Sequence, residues 1–469
     1  MVTIQTIITS DFLLMSKFEQ LYLDIQKKLT ALEIRVKELE LENKVLKKEN
    51  NKLKEKLGLN SKNSSIPSSK ELYKIKKNNK TKSDRKQGAQ VGHKGHSRDR
   101  MEANEIIKID LDSRQCECGG EIGIITPRIH QKIDIPEIKP HVIDYHLERG
   151  RCKVCNKRKS SSLPTDVTSD LFGPRVKAAI GSLSGFYKNS KREVESILKD
   201  LFNVSISVGT VSKNEARITT KCNEAYEDIE LALSYSPLVH MDETSHYNKG
   251  KLGWCWGFFS EDASLIKLEK TRGKKVLENS VFGPKDSVIV TDRYAAYNYF
   301  DEANRQLCWS HLARDFERFA HSRHQEVKPI GVYLTQVADE IFALKKALLA
   351  ERIDVLRFLR RAKVLRKRTW YYLKNITCLE DAQHAARVAQ NIMKSEDMMW
   401  KFLDDPKNIP LTNNHAEQQI RHYVTYRKNS YFTQSERGNR FLERIISLYL
   451  TWKKRAQNPV KNLQNLLIA

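Results

Sequence analysis

Two apolar runs that stop abruptly on an acid restrict this chain more than any other feature. LVHMDET, at residues 238–244, carries Asp242 and Glu243, and VIVTD, at 288–292, ends in Asp292. Short β-branched and aromatic runs bounded by polar or Gly-bearing connections read as strands. GWCWGFFS, SLIKLEK and RQLCW have the same character, and RQLCW leads into the helical pattern HLARDFERFAH. Five strands with helices after them imply a mixed α/β sheet. Further on, TNNHAEQQIR puts Glu417 at the start of a helix, capped by Thr412, Asn413 or Asn414.

Between Asp292 and Glu417 the pattern turns wholly helical from about 325 to 405. Within it, residues 351–374 hold nine Lys or Arg against two acids. We therefore expect a sheet domain at 235–425 with a helical insertion, followed by a basic helical tail at 426–469. After Glu417 the chain stays basic through Arg421, Arg427, Lys428, Arg437, Arg440 and Arg444, and Arg421, Arg427 and Lys428 are the candidate phosphate contacts. His311 and Arg314, after the fifth strand, either flank the acids or simply start a helix.

An acid at a strand end is held firmly while the sheet edge leaves room for substrate. Three hard carboxylates suit Mg²⁺ or Mn²⁺. Two such ions about 3.5–4 Å apart can activate the nucleophile and steady the leaving oxygen of a phosphodiester. Spacing alone leaves alternatives open. Strand-ending Asp residues also cap loops, Glu243 competes with Asp242, and Glu417 can pair with Arg421 one turn on.

Charge indicates the partner. Lys and Arg outnumber acids by 82 to 58, for a net charge of +24; such an excess favours a polyanion through counterion release. At 469 residues the chain requires several domains. No apolar run approaches the ~18 residues of a membrane span, and the N-terminus does not resemble a signal peptide. Eight scattered or paired cysteines do not suggest a disulfide scaffold. A cytoplasmic protein is expected.

The N-terminal third is modular. A seven-residue repeat within 14–58 places Ile25, Leu32, Leu39, Leu46 and Leu53 in one column. Leu29, Val36, Asn43, Asn50 and Leu57 form the other. Paired Lys28–Glu33, Arg35–Glu40, Glu42–Lys47 and Glu49–Lys54 are all attractive in a parallel pair. The pattern predicts a coiled-coil homodimer, or a higher homo-oligomer. Residues 59–101 read as a flexible basic linker, with His93 and His96 near its end. At 102–165, Cys116 and Cys118, then Cys152 and Cys155, flank a β-rich run and suggest a zinc-ribbon-like module. His130 and His146 are substitute ligands. The single-residue spacer of the first pair makes Zn²⁺ chelation harder, so a metal-free ribbon stays open. Residues 170–232 are helical and resemble a helix-turn-helix DNA-binding domain, though helix pairs also pack this way for structure alone.

The motifs LGLNSKNSSIPSSK, QVGHKGH, CGG…CKVC, HMDET, VTDRYAAY, CWSHLARDF and TNNHAEQQIR occur in that order. Together, from about residue 57 to the C-terminus, they resemble the transposases of insertion-sequence family 66. The resemblance implies a ribonuclease-H-like catalytic domain whose Asp, Asp, Glu triad falls on Asp242, Asp292 and Glu417. It implies metal-dependent cleavage at element ends, strand transfer into target DNA, and small accessory proteins of the same element. The family's first cysteine pair has a two-residue spacer, so this chain departs there. Two rivals stand beside this expectation: a non-catalytic DNA-binding regulator, and a metal-dependent nuclease without strand transfer.

Overall fold

The computed structural model describes residues 2–57, 99–123, 125–126, 128–280 and 287–468. Most of the expected basic linker, including His93 and His96, lies outside these residues. The chain divides into two compact units. One comprises Met1–Leu72, Ser169–Val194 and Ser207–Ala469; the other comprises Tyr73–Thr168 and Glu195–Ile206.

Helix α1 (Val2–Leu57) begins earlier than the heptad pattern required. The heptad side chains Ile25, Leu29, Leu32, Val36, Leu39 and Leu46 are exposed in the single chain.

In the smaller unit, regular structure is sparse. Strands β1 (Arg149–Arg151) and β2 (Arg158–Ser160) form an antiparallel ladder around the second cysteine pair. A single bridge, Gln115 to Glu121, spans the first pair. The run between the pairs was expected to be β-rich. Its described residues form no further ladder, and Ile125, Ile129, Ile135 and Val142 are exposed. Alternating apolar residues specify a strand only where another layer buries one face.

In the larger unit, α2 (Pro174–Gly181) precedes α3 (Lys191–Phe202), which runs on into the smaller unit. After α4 (Val208–Lys221) and α5 (Asn223–Ser234) comes the sheet. Its strands are β3 (Leu238–Asn248), β4 (Lys251–Phe259) and β5 (Ser264–Glu269), then, past the short α6 (Lys275–Glu278), β6 (Val288–Thr291) and β7 (Arg305–Leu307). They are the five anticipated runs. The order is β5-β4-β3-β6-β7, with β3, β6 and β7 parallel and the other pairs antiparallel.

Helix α7 (Trp309–Ala320) leads into the insertion: α8 (Val327–Leu349), α9 (Val355–Thr377), α10 (Gln383–Met393) and α11 (Glu396–Trp400). These helices have their own core, with Phe316, Leu334, Ile341, Phe358, Leu365 and Trp400 buried together. Gly331 lets α8 cross the last turn of α7, because a Cβ there would collide with the backbone of Phe319 and Ala320. The chain returns through α12 (Asn414–Ser430), α13 (Glu436–Lys454) and α14 (Pro459–Ile468).

The last helices are integral to the sheet's core rather than appended to it. Phe441, Leu442, Ile445, Leu448 and Tyr449 of α13 are buried with Ile218, Tyr226, Trp256 and Phe258. Polar residues of α13 also close the sheet edge. Glu443, Ser447 and Thr451, four residues apart, accept the N–H groups of Leu268, Ile266 and Ser264 at 2.7, 2.8 and 3.0 Å. Helical spacing thus matches alternate residues of β5, and an edge that could recruit another strand is covered.

Candidate active site

Parallel pairing sets the first two acids side by side. Leu238, Val239 and His240 on β3 lie level with Val288, Ile289 and Val290 on β6. Two residues further along the same register, Asp242 lies level with Asp292, on strands spaced by about 4.8 Å. Asp292 follows the last residue of β6, and its Oδ1 accepts the N–H of Tyr294 at 2.8 Å, an Asx turn that ends the strand.

Glu417 arrives from α12. Asn413 occupies the N-cap position, yet its side chain makes no cap bond. Instead Nδ2 donates to the Met241 carbonyl at 2.6 Å, and Oδ1 lies 3.0 Å from His240 Nδ1. Its own N–H points to Cys308 Sγ at 3.2 Å. This buried carboxamide therefore docks the start of α12 onto β3 beside Asp242, and Glu417 follows one turn later. The helix stays on that face of the strand, where Tyr423 bonds to His246.

Electrostatics link the three carboxylates. Burial, then the charges of Glu243, Asp292 and Glu417, pushes the Asp242 carboxyl well above its usual range. Glu417 moves the other way. Its contact with His311, whose Nε2 is 3.5 Å from Oε1, holds its pKa down, helped by Arg314 and Arg421. His311 and Arg314, left open by the sequence, thus face the third acid. A carboxylate driven towards its protonated form by burial and by three neighbouring carboxylates is one whose ionised form a hard divalent cation would favour. Among the described residues, the group whose ligand atoms lie within 4.8 Å of one another is Cys308, His311 and Glu417; Asp242 and Asp292 do not belong to it. Burial pushes the Cys308 thiol up, and its sulfur already accepts the Asn413 N–H.

Glu243 is held on different terms. Its side chain is only 2% exposed and is paired with Arg272, whose Nε donates at 3.0 Å. The buried Tyr297 hydroxyl donates to its other oxygen. Arg272 is sandwiched between the rings of Tyr294, at 3.7 Å, and Trp254, at 4.6 Å. Burial and the charge of Asp292 still raise the Glu243 pKa against the pull of these partners. The Glu243 N–H donates to Asp242 Oδ1 at 3.0 Å, so the clamp on one acid steadies the other. Arg272, Tyr294 and Tyr297 were not picked out by sequence reasoning. The two tyrosines lie within VTDRYAAY; Arg272 carries no local signal.

Of the candidate phosphate contacts, Arg421 and Lys428 are exposed on α12. Arg427 donates to the carbonyl and hydroxyl of Ser245. In the smaller unit, Cys116 and Cys118 sit in a turn closed by Gly119 and Gly120, and Cys152 and Cys155 in a second turn closed by Asn156 and Lys157. All four thiols are free and exposed. Hydrogen bonding from the neighbouring cysteine lowers the pKa of Cys116, and that of Cys152 likewise. His130 and His146 are exposed in the same unit.

No described helix is long and apolar enough to cross a membrane. Among curated proteins nothing matches the chain. A family of unknown function (DUF6444) matches residues 23–99. The model of the Transposase IS66 family matches residues 191–440, more than half of the 469, and spans all five strands, the insertion and the helix bearing Glu417. By that match the chain belongs to the IS66 family of transposases, whose partner is DNA.

Proposed function

We propose that this transposase cuts DNA at the ends of its element and joins the freed strands to target DNA, with Asp242, Asp292 and Glu417 as its catalytic triad. The observation that carries the reading is the convergence of three distant segments: parallel register sets Asp242 level with Asp292, and Asn413 docks the helix bearing Glu417 onto the same strand. The mixed sheet, interrupted before α12 by a helical insertion, supports a ribonuclease-H-like catalytic domain.

These three carboxylates are the residues that would hold Mg²⁺ or Mn²⁺. Such ions would activate the attacking oxygen, first of water and then of the freed 3′-hydroxyl, and offset charge on the phosphorane-like transition state. The protein's own groups orient the reaction. Asn413 fixes the helix that carries Glu417, Glu243 supports Asp242 from behind, and His311 and Arg314 hold Glu417 ionised. Arg421 and Lys428, with Arg427 at the helix end, neutralise flanking phosphates.

The remaining modules assemble the reaction. The exposed heptad columns of α1 pair two or more copies in a coiled coil, and the basic linker follows the DNA backbone. Cys116, Cys118, Cys152 and Cys155 are the residues that would hold a Zn²⁺, although among the described residues they do not converge as a ligand group, and the helical stretch 170–232 supplies DNA binding. Small proteins of the same element act with it.

The deciding experiment incubates purified protein with Mg²⁺, labelled element-end DNA and target plasmid. Wild type should release 3′-hydroxyl ends and join them. Asp242→Ala should bind the same DNA yet neither cut nor join, with a loss of at least about a thousandfold, as expected when several kcal/mol of charge stabilisation disappear. Unchanged cleavage by the variant removes the triad assignment. Cutting without joining favours a nuclease.

A further inference from the structure

Helix α9 divides its charges in a way that packing does not require. Its buried stripe is apolar apart from one Thr: Phe358, Ala362, Leu365, Thr369, Leu373 and Ile376, seated in the insertion core. Three flanking arginines are matched by acids of neighbouring helices. Arg361 and Arg368 reach Glu340 of α8, and Arg366 reaches Glu396 and Asp397 of α11. The outward stripe differs. Arg357, Arg360, Lys363, Lys367 and Lys374 are all exposed, and no ion pair to any of them is found among the described residues. Helix α9 itself contains no acid. Tyr371 and Trp370, 62% and 40% exposed, stand among these cations.

We propose that this outer face of α9 is a docking surface for duplex DNA, bound through its phosphate backbone. The inference rests on the transposase reading, which supplies the DNA, but it adds a contact surface remote in sequence from the acids. Like charges three or four residues apart on a helix face destabilise the helix. A face needing only solubility would intersperse acids, and only the flanking arginines have them, from α8 and α11. An unbroken cationic stripe is favoured when a polyanion covers it.

Dimensions agree. From Arg357 to Lys374 the helix rises about 25 Å, a length over which B-DNA presents roughly seven phosphates on each strand. Five flexible cations can meet such a row without reading bases, and the Tyr371 hydroxyl can add a phosphate or sugar contact. The surface therefore binds independently of sequence and steadies DNA already engaged elsewhere.

The test compares three full-length proteins: wild type, a variant with Arg357, Arg360, Lys363, Lys367 and Lys374 all changed to Gln, and a charge-matched control. In the control, the exposed Lys221, Lys249, Lys251, Lys407 and Lys461 become Gln. Binding to a duplex of unrelated sequence is followed by fluorescence anisotropy from 50 to 200 mM salt. Every substituted side chain is exposed, so thermal melting should coincide across the set. The α9 variant should lose at least tenfold in affinity. Its plot of log K against log salt should be shallower than the control's by up to about 4, or ~0.9 per phosphate lost. Equal slopes and affinities for the α9 variant and the control overturn the inference. Cleavage of element ends by wild type is measured in parallel. If it proceeds while the slopes coincide, only the docking surface falls; if it is absent, the transposase reading falls with it.

Discussion

Asp242 and Glu243 are neighbours on one strand, both acidic, the first half-buried and the second buried, yet their surroundings are opposite. Asp242 faces the start of α12, where its neighbours are further carboxylates. Glu243 faces Arg272 and Tyr297, which satisfy it with a charge pair and a hydroxyl. The alternation of side chains along a strand creates the difference. A carboxylate surrounded by others is costly to keep ionised, and under the proposed function a cation would relieve it, whereas one that is paired and bonded contributes to the fold. Stability and chemistry are thus assigned to consecutive residues, and substitution can test that assignment.

The largest contrast is between Asp242→Ala and Glu243→Ala. Asp242→Ala removes repulsion, so the melting temperature should hold or rise while cleavage disappears. Glu243→Ala leaves Arg272 facing a buried void without its partner. Breaking a buried pair costs about 3–5 kcal/mol; Arg272 keeps some contact with water, so about 3 kcal/mol is expected. Cleavage assayed well below the melting point should fall far less than in Asp242→Ala. The reverse pattern, an inactive but stable Glu243→Ala beside an active Asp242→Ala, would exchange the two roles.

How much of this was legible beforehand follows from the same strand. VIVTD announced a buried strand ending in acid because apolar content and an abrupt polar stop are local properties. LVHMD announced a buried strand too, but β3 runs on past Asp242 to Asn248, because pairing with β4 carries the polar half of the strand. That acid therefore lies within the strand and not at its end. Parallel register, which sets Asp242 level with Asp292, is a relation between segments and has no local signature. Spacing alone left Glu243 as a competitor for Asp242. The choice of face depends on Arg272, whose place between Trp254 and Tyr294 is a tertiary arrangement. Asn413 was recognisable as a helix-start residue, but its side chain serves the strand instead of the cap. The C-terminal helices read as a basic tail because their cations are conspicuous. Their apolar face and the Glu443, Ser447, Thr451 series acquire meaning only against β5.

A smaller effect should come from the Asp242 face itself. Asn413→Ala leaves the Met241 carbonyl without its donor and His240 without its partner. About 2 kcal/mol should be lost, the range for abandoned buried hydrogen bonds. Since Asn413 also anchors the helix carrying Glu417, cleavage below the melting point should drop tenfold or more. That would distinguish it from Glu243→Ala, where stability falls more than rate. A variant that melts early but cuts at the wild-type rate would show that α12 is positioned without this carboxamide.

The smallest effect isolates one bond within the clamp. Tyr297→Phe keeps the buried ring and removes only the hydroxyl that donates to Glu243. Arg272 continues to compensate the carboxylate, so the loss should be about 1 kcal/mol, with cleavage nearly unchanged. The double substitution then sharpens the contrast. In a Glu243→Ala background the hydroxyl has no carboxylate to serve, and Tyr297→Phe should cost nothing further. A coupling energy near 1 kcal/mol across this cycle identifies the bond itself. If the two losses simply add, the hydroxyl contributes independently of the Glu243 carboxylate, and Glu243 is held by Arg272 alone.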